Sequence, residues 1–253
     1  MGDVPGELVH CTVRDGVATI TLDSPTNRNA LSRQLVGELH GALDRAEQSD
    51  VRVVVLTHTA PAFCAGADLK ERGAGPTGNG PMANAMERLA SCPAPTIAAV
   101  NGSVRAGGIG IMAACDLVVV NRAVTFAFTE VRIGVAPAMI SVPILARCSW
   151  SKIAAPFLTG EAFDAEAARD MGLITHVTDD VAATVQMLVA GVLAGAPGAV
   201  AATKRVLRQA APNMAEMQAL SETLFGSAEA AEGMSAFIEK RPPAWVSLPG
   251  TGS

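Results

Sequence analysis

The chain lacks several features by which common protein classes are recognised. It has 19 lysines and arginines against 24 acidic residues, so it has no basic excess to attract nucleic acid or an anionic membrane. Its five cysteines include no C-x-x-C pair of the kind typical of metal and redox sites. Residues 1–7 contain no basic segment followed by an apolar one, so we expect no signal peptide. We therefore expect a cytoplasmic protein with reduced, mostly buried thiols and no nucleic-acid partner.

Motifs for nucleotide binding and for nucleophilic catalysis are also missing. No G-x-G-x-x-G follows a predicted strand, and no P-loop is present. None of the four histidines belongs to a serine or cysteine nucleophile motif. Cys64 is accordingly interpreted as a small packing residue.

One uncharged stretch, residues 181–203 between Asp180 and Lys204, is long enough to raise the question of a membrane span. The stretch is interrupted by Gly195 and Pro197, which break helices. It therefore predicts two helices separated by a break, with no membrane partner.

Strands and helices alternate up to about residue 180, and helices alone follow. This order predicts an α/β fold with a helical appendage, divided into a core of residues 1–195 and a C-terminal region of residues 196–253. The Gly- and Pro-rich segment Arg72–Pro81 is predicted to be a mobile loop. The predicted strands are Leu8–Val13, Val17–Leu22, Val51–Thr57, Thr96–Val100, Leu117–Val120, Phe126–Phe128 and Leu173–Val177. The predicted helices are Ser32–Gln48, Met82–Ala90, Ile109–Ala114, Asp164–Met171 and those between Val181 and Phe237.

Two segments rich in small residues, Ala62–Leu69 and Asn101–Asp116, each follow a predicted strand. Small residues at such turns let a ligand approach the main chain closely. Unpaired N–H groups at the start of a helix favour negative charge, and two of them on one oxygen make an oxyanion hole. Either segment alone could equally be a tight turn; together they predict one anion-stabilising site.

An ordered series of motifs extends over nearly the whole chain. The two segments read AFCAGADL and AAVNGSVRAGGIGIMAACDLVVV, and they are followed by TFAFTEVRIGVAP, LTGEAFDAEAARDMGLITHV and EGMSAFIEKRPPAW. In this order the motifs resemble those of the crotonase family, the enoyl-CoA hydratase/isomerase superfamily. The resemblance implies a superhelix of β-β-α units with a C-terminal helical trimerisation region. It also implies a homotrimer or a dimer of trimers.

The resemblance implies a chemistry as well. The main-chain N–H groups of Ala67 and Gly107 would hold the thioester carbonyl of an acyl-CoA substrate. The family needs no metal and no redox cofactor, and coenzyme A is part of the substrate. The residues that would contact the substrate around this hole are Ala65, Gly66, Asp68, Leu69, Gly108 and Gly110.

The carboxylates decide which reaction is expected. Hydratases of the family commonly use two glutamates, of which one maps to Glu130 and the other to Gly110, which has no side chain. A single glutamate is the arrangement of the family's isomerases. It is also found in some hydratases of branched or carboxylated enoyl-CoA, which have a stretch like Thr129–Ser141. The ordinary alternative for Glu130 is an exposed glutamate at a strand end; a base in reach of the reacting carbon is the interpretation we prefer.

Three further side chains are candidates for substrate binding. Arg105 stands where the family usually has an apolar residue, and its guanidinium would suit a substrate carboxylate; an ion pair or surface exposure is the alternative. Asp68 is expected to bond the backbone of its turn, with a solvated side chain as the alternative. Lys240 resembles a family lysine near the nucleotide phosphates, with a solvated lysine as the alternative.

Three functions follow from these observations. The first is a lyase that adds water to a 2-enoyl-CoA, with an acyl chain that is branched or carboxylated. The second is an enoyl-CoA isomerase that uses Glu130 alone. The third, from another class, is a non-catalytic acyl-CoA-binding protein, to which the missing carboxylate at Gly110 points.

Overall fold

The structure is a computed structural model that describes residues 6–48, 50–72, 80–209 and 211–246. Its strands are β1 Val9–Arg14, β2 Val17–Leu22, β3 Val53–His58, β4 Ala62–Cys64, β5 Thr96–Val100, β6 Ser103–Arg105, β7 Leu117–Asn121, β8 Thr125–Ala127, β9 Phe163–Asp164 and β10 His176–Thr178. Its α-helices are α1 Arg33–Ala46, α2 Leu69–Arg72, α3 Gly80–Ser91, α4 Gly107–Ala114, α5 Ala138–Leu145, α6 Trp150–Thr159, α7 Ala165–Asp170, α8 Val181–Ala194, α9 Pro197–Arg208, α10 Met214–Phe225 and α11 Ala228–Glu239. Two 3-10 helices cover Pro25–Asn27 and Thr129–Ile133.

The strands form two sheets. The larger sheet has the order β1-β2-β3-β5-β7-β10, and the smaller has the order β4-β6-β8-β9. Strands β3, β5 and β7 of the larger sheet are each followed directly by a strand of the smaller sheet and then by a helix. This repeated β-β-α unit confirms the predicted α/β fold, including the helices at the C-terminal end.

Parallel pairing brings the ends of consecutive units together. Strands β3, β5 and β7 pair in parallel in the larger sheet, and β4, β6 and β8 do so in the smaller one. Parallel strands put their carboxyl ends on the same edge of a sheet. The segments that follow β4, β6 and β8 therefore meet at one edge of the smaller sheet.

Helix α4 lies inside the core. Its sequence, GGIGIMAA, has no polar face, and all eight of its residues are buried. A helix that is apolar all round is stable only when it is covered on every side. Helices α3 and α5 pack against it, so α4 is fixed between the smaller sheet and these two helices.

The uncharged stretch forms two helices, as predicted. Helices α8 and α9 are separated at Gly195 and Ala196. No single helix in the described ranges is long and apolar enough to cross a membrane; α8 and α9 reach that length and composition only together, and they are bent by 112° at the break. Val181 and Val185 of α8 pack on the larger sheet.

Several predicted boundaries were wrong by one or two residues, and one was wrong by three. The strand predicted at Leu173–Val177 begins only at His176, because the N–H of Leu173 closes the end of α7 on the carbonyl of Ala168. The helix predicted from Ile109 begins two residues earlier, at Gly107. Most of the predicted loop at Arg72–Pro81, residues 73–79, lies outside the described residues.

Candidate active site

The two small-residue segments converge, as the sequence predicts. Gly66 adopts φ 91°, and an ideal Cβ placed on it would lie 2.9 Å from the Cβ of Ala106 and 3.6 Å from the nitrogen of Gly107. A side chain on residue 66 would thus separate the segments. The pairing of β4 with β6, in which Ala62 faces Ser103, brings both segments to this point.

Helix α4 approaches β4 closely because Gly108 has no side chain where it faces Cys64. A Cβ on Gly108 would lie 2.6 Å from the Cβ of Cys64 and 3.0 Å from its carbonyl oxygen. Burial raises the pKa of the Cys64 thiol to about 12, so it stays protonated at neutral pH. Cys64 therefore has the surroundings of a packing residue.

The N–H of Ala67 is directed away from the adjacent segment of the chain, which contains Leu31. Leu31 donates its N–H to the carbonyl of Gly66 at 2.8 Å, and Asp68 donates its N–H to the carbonyl of Leu31 at 3.5 Å. These bonds form a parallel bridge between Leu31 and Ala67 in which the N–H of Ala67 itself takes no part. That N–H is not used in the pairing with Leu31, and Ala67 lines the cavity.

The N–H of Gly107 is available for a different reason. Gly107 is the first residue of α4, and the first N–H groups of a helix have no acceptor within the helix. Ala106, which precedes it, has φ 47°, a conformation that L-residues seldom adopt. This turn directs the start of α4 toward the cavity that Ala106 and Gly107 both line.

The cavity has a volume of about 420 Å³. Apart from Thr129 and Glu130, its lining side chains are apolar or absent. The lining residues are Ala65, Ala67, Leu69, Met82, Ala106, Gly107, Thr129, Glu130, Ile133, Val135, Ala136, Pro137, Ala138, Met139 and Ile140. An apolar cavity with few polar groups is typical of a site for a small organic ligand.

Glu130 supplies the carboxyl group of this cavity. It lies in the 3-10 helix Thr129–Ile133 rather than at a strand end. This helix directly follows the buried Phe128, which packs on Phe157. Burial raises the pKa of Glu130 above its ordinary value. Its Oε2 atom is buried and has no hydrogen-bond partner among the described residues. A carboxyl group in these surroundings is suited to exchanging a proton with a bound molecule.

Gly110 has no room for a side chain. An ideal Cβ on it would lie 2.6 Å from Cγ2 of Ile140 and 2.7 Å from Cε of Met86. The volume in which a second carboxylate would begin is thus filled by hydrocarbon.

Arg105 is placed apart from the cavity lining. It lies on β6, where Val104 is fully buried, and the alternation of a strand directs Arg105 to the other face. Its guanidinium donates to the carbonyl of Thr125 at 2.5 Å, to the hydroxyl of Thr125 at 3.0 Å and to the carbonyl of Val104 at 3.0 Å. The structure therefore does not bring Arg105 together with the other predicted site residues.

The remaining predicted residues fall into two groups. Ala65 and Leu69 line the cavity, whereas Asp68 accepts the N–H of Lys70 at 3.0 Å, the turn bond expected of it. Lys240 ends α11 with φ 54°, and it is exposed and outside the cavity lining. Within the described ranges, no group of three or more His, Cys, Asp or Glu side chains could hold a metal ion.

Sequence reasoning did not single out one wall of the cavity. Met82 on α3 and Met139 and Ile140 on α5 line it, together with Ile133 and Val135. The apolar run IGVAPAMI, which begins three residues after Glu130, was the available signal, because residues close in sequence to a site residue often share its cavity.

Comparison with known proteins gives a consistent result. Residues 12–247 match the family model described as enoyl-CoA hydratase/isomerase. Over 242 residues the chain is 32% identical to the 2,3-dehydroadipyl-CoA hydratase of Escherichia coli K12, covering 90% of this chain and 94% of that protein. Over 255 residues it is 31% identical to the 1,2-epoxyphenylacetyl-CoA isomerase of the same organism, covering 94% of this chain and 97% of that protein.

Solved structures agree with these matches. The crystal structure of an enoyl-CoA hydratase from Mycobacterium avium is 42% identical to this chain and superposes on it with a TM-score of 0.72. The match covers 94% of this chain and 99% of that one.

Proposed function

Since the chain belongs to the enoyl-CoA hydratase/isomerase family, also called the crotonase family, we propose that it adds water to a 2-enoyl thioester of coenzyme A. The observation that carries the proposal is that the buried Oε2 of Glu130, which has no hydrogen-bond partner in the part of the chain that the structure describes, lies in the same apolar cavity as Ala67 and Gly107. The residues of this cavity would then be the site of an acyl-CoA enzyme.

The proposed reaction uses the two N–H groups and one carboxylate. The thioester oxygen accepts hydrogen bonds from the N–H groups of Ala67 and Gly107. Ionised Glu130 takes a proton from water as the water oxygen bonds to C3. The π electron pair of C2=C3 then forms a C1=C2 double bond, and the π pair of the carbonyl moves onto the thioester oxygen, which gives an enolate. The two N–H groups stabilise that charge. Protonated Glu130 then gives its proton to C2, which restores both the carbonyl and the carboxylate.

No metal or redox cofactor is proposed, because adding water across a double bond moves protons and leaves no net oxidation. The acyl-CoA substrate brings its own activating group, the thioester. We further propose that the protein is cytoplasmic and forms a homotrimer or a dimer of trimers. Strongly exposed apolar side chains among the described residues of the C-terminal region support a partner there; they include Leu207, Met214, Phe225, Phe237 and Ile238.

A second candidate is isomerisation, in which the double bond of a 3-enoyl-CoA moves to position 2 of the acyl chain. The observation that favours it is the hydrocarbon around Gly110, which leaves Glu130 as the one carboxylate of the described cavity lining. Moving a proton between C2 and C4 needs a single base, whereas hydration must also hold a water molecule. The matching family model, enoyl-CoA hydratase/isomerase, is named for both reactions.

The nature of the acyl chain is part of the proposal. The Pro137-Ala138 stretch and the hydratase of 2,3-dehydroadipyl-CoA among the similar proteins favour a branched or carboxylated chain. Arg105 lends no support to a carboxylate, because its guanidinium is bonded to Thr125.

A panel assay tests the proposal. Purified protein is incubated with straight, branched and carboxylated 2-enoyl-CoA and with a 3-enoyl-CoA, and the absorbance of the conjugated thioester is followed. Loss of that absorbance with formation of a 3-hydroxyacyl-CoA supports hydration. Its appearance from the 3-enoyl substrate supports isomerisation instead. Binding of the thioesters without any turnover contradicts both reactions.

A further inference from the structure

Ile140 stands where the side chain of residue 110 would be. It lies on α5, is 2% exposed and lines the cavity. Its Cγ2 and Cβ atoms are 2.6 and 2.9 Å from an ideal Cβ on Gly110. Met86 on α3 approaches the same point from another helix, with its Cε at 2.7 Å. Ile140 is therefore wedged between Gly110 and the empty space of the cavity.

The position of Gly110 on α4 locates this wedge relative to the substrate. Gly110 follows Gly107 by three residues, so the two share a helix face and are separated by about 4.5 Å along the axis. If the N–H of Gly107 holds the thioester oxygen, as the proposed function requires, only the acyl carbons nearest the thioester can reach Ile140.

We propose that Ile140 limits the size of substituents at C2 and C3 of the acyl group. This inference rests on the proposed function, because it takes the N–H of Gly107 as the thioester site. A β-branched side chain in a helix has one strongly preferred rotamer, so Ile140 forms a firm wall. The ligand it restricts is an acyl-CoA with a methyl or larger branch at C2 or C3, so a branch or carboxylate of the proposed substrate would lie beyond C3.

Other side chains around Gly110 are less suited to this role. Met86 touches the Gly110 position, but it is not among the lining residues and has a flexible side chain. Ile144 lies one turn further along α5, is equally buried and does not line the cavity. Ile144 is for this reason a matched control: its truncation removes the same atoms from the same helix without enlarging the cavity wall.

The test measures the binding of saturated thioesters, which needs no turnover. Calorimetry gives the Kd of butanoyl-CoA, 2-methylpropanoyl-CoA and 3-methylbutanoyl-CoA for the wild type, Ile140→Ala and Ile144→Ala. Truncated core side chains leave space that the surroundings fill only in part. We expect Ile140→Ala to improve the affinity for a branched chain relative to the straight one by about tenfold, the effect of one methyl group in an apolar pocket. Ile144→Ala should leave that ratio unchanged.

The outcomes separate this inference from the proposed function. An unchanged ratio in Ile140→Ala, or the same shift in Ile144→Ala, overturns the role of Ile140 while thioester binding by the wild type stands. A wild type that binds none of the three thioesters overturns the proposed function and this inference together. If Ile140→Ala does not fold, Ile140→Val removes one methyl group and should shift the ratio in the same direction by a smaller factor.

Discussion

Gly66 and Ala106 are in contact at the point where the two site segments meet, and a Cβ on residue 66 would lie 2.9 Å from the Cβ of Ala106. Both proposed oxyanion donors adjoin this contact, because Ala67 follows Gly66 and Gly107 follows Ala106. The spacing of the two N–H groups therefore depends on residue 66 having no side chain.

Gly66→Ala should lower both stability and thioester affinity. The left-handed φ of 91° costs an alanine about 1–2 kcal/mol, and the contact with Ala106 adds about 1–3 kcal/mol of overpacking. Gly134→Ala is the matched control, because Gly134 has φ 76° with nothing within 4 Å of its Cβ position. Urea unfolding should show the larger loss in Gly66→Ala, and calorimetry should show weaker thioester binding there alone. Equal binding losses in both variants would contradict this account.

Glu130→Gln should lower turnover at least about a hundredfold and leave thioester affinity nearly unchanged. The amide keeps the shape of the side chain but cannot accept and return a proton. Steady-state kinetics give kcat and KM, and calorimetry with a saturated thioester gives the affinity. Glu161→Gln serves as the control, because Glu161 is exposed and bonds Arg132 outside the cavity. Near-normal turnover in Glu130→Gln would remove Glu130 from the mechanism.

Glu130 should also give a characteristic pH dependence. Burial raises its pKa above the ordinary value of 4.5, so kcat/KM should rise with pH through a pKa higher than 4.5 as the base ionises. The free energy of unfolding changes with pH in the opposite direction. The folded protein favours the protonated carboxyl of Glu130, and this stabilising contribution is lost as the pH rises through the folded-state pKa.

The comparison of wild type with Glu130→Gln isolates this contribution. The free energy of unfolding of Glu130→Gln should increase relative to wild type from pH 4.5 up to the folded-state pKa, and the difference should then stay constant. Urea unfolding at a series of pH values measures it. A difference that does not change with pH would mean that Glu130 titrates alike in the folded and unfolded chains.

The convergence of the two segments could be predicted from the sequence because each motif is one short, continuous stretch that follows a strand. Ala67 and Gly107 lie in turns whose small residues are visible in the sequence, and parallel strands bring such turns to one edge. The residue that fills the space at Gly110 could not be predicted in this way. Ile140 is thirty positions away, and only the packing of α5 on α4 places its Cγ2 there.

The face of β6 to which the side chain of Arg105 points could likewise not be predicted from the sequence. Arg105 lies next to the site in the chain, but which face of β6 it occupies depends on Val104 being the residue that faces the core. The start of β10 shows the same limit. The apolar residues Leu173 and Ile174 read as a strand, yet they are buried while completing the turn after α7.

Arg105→Leu should reduce stability without changing substrate selectivity. It removes charge-assisted hydrogen bonds to the carbonyl and hydroxyl of Thr125, a loss of about 1–2 kcal/mol for a partly exposed group. Urea unfolding measures the loss, and kcat/KM for carboxylated and plain enoyl-CoA measures selectivity. Thr125→Val, which removes the hydroxyl partner, is the control and should also lower stability. A loss confined to carboxylated substrates would instead assign Arg105 to the substrate.

Helix α9 is joined to the core by a buried ion pair. Lys204 on α9 is 7% exposed, and its Nζ lies 2.7 Å from Oδ2 of Asp116 and donates to the carbonyl of Ala94 at 3.0 Å. Arg208 donates to the other carboxylate oxygen of Asp116 at 2.8 Å. Asp116 directly follows the last turn of α4 and Cys115, so this cluster joins α9 to the end of the site helix.

Asp116→Asn should be strongly destabilising, because it leaves the ammonium of Lys204 buried without a counter-charge. Removing one member of a buried pair costs about 3–5 kcal/mol. Asp179→Asn makes the same chemical change in an exposed pair with Arg122 and should cost less than about 1 kcal/mol. Urea unfolding compares the two variants. Adding Lys204→Met to Asp116→Asn should recover part of the loss, since the unpaired charge is then gone; a double variant as unstable as the sum of the single ones would show that the pair contributes nothing to this junction.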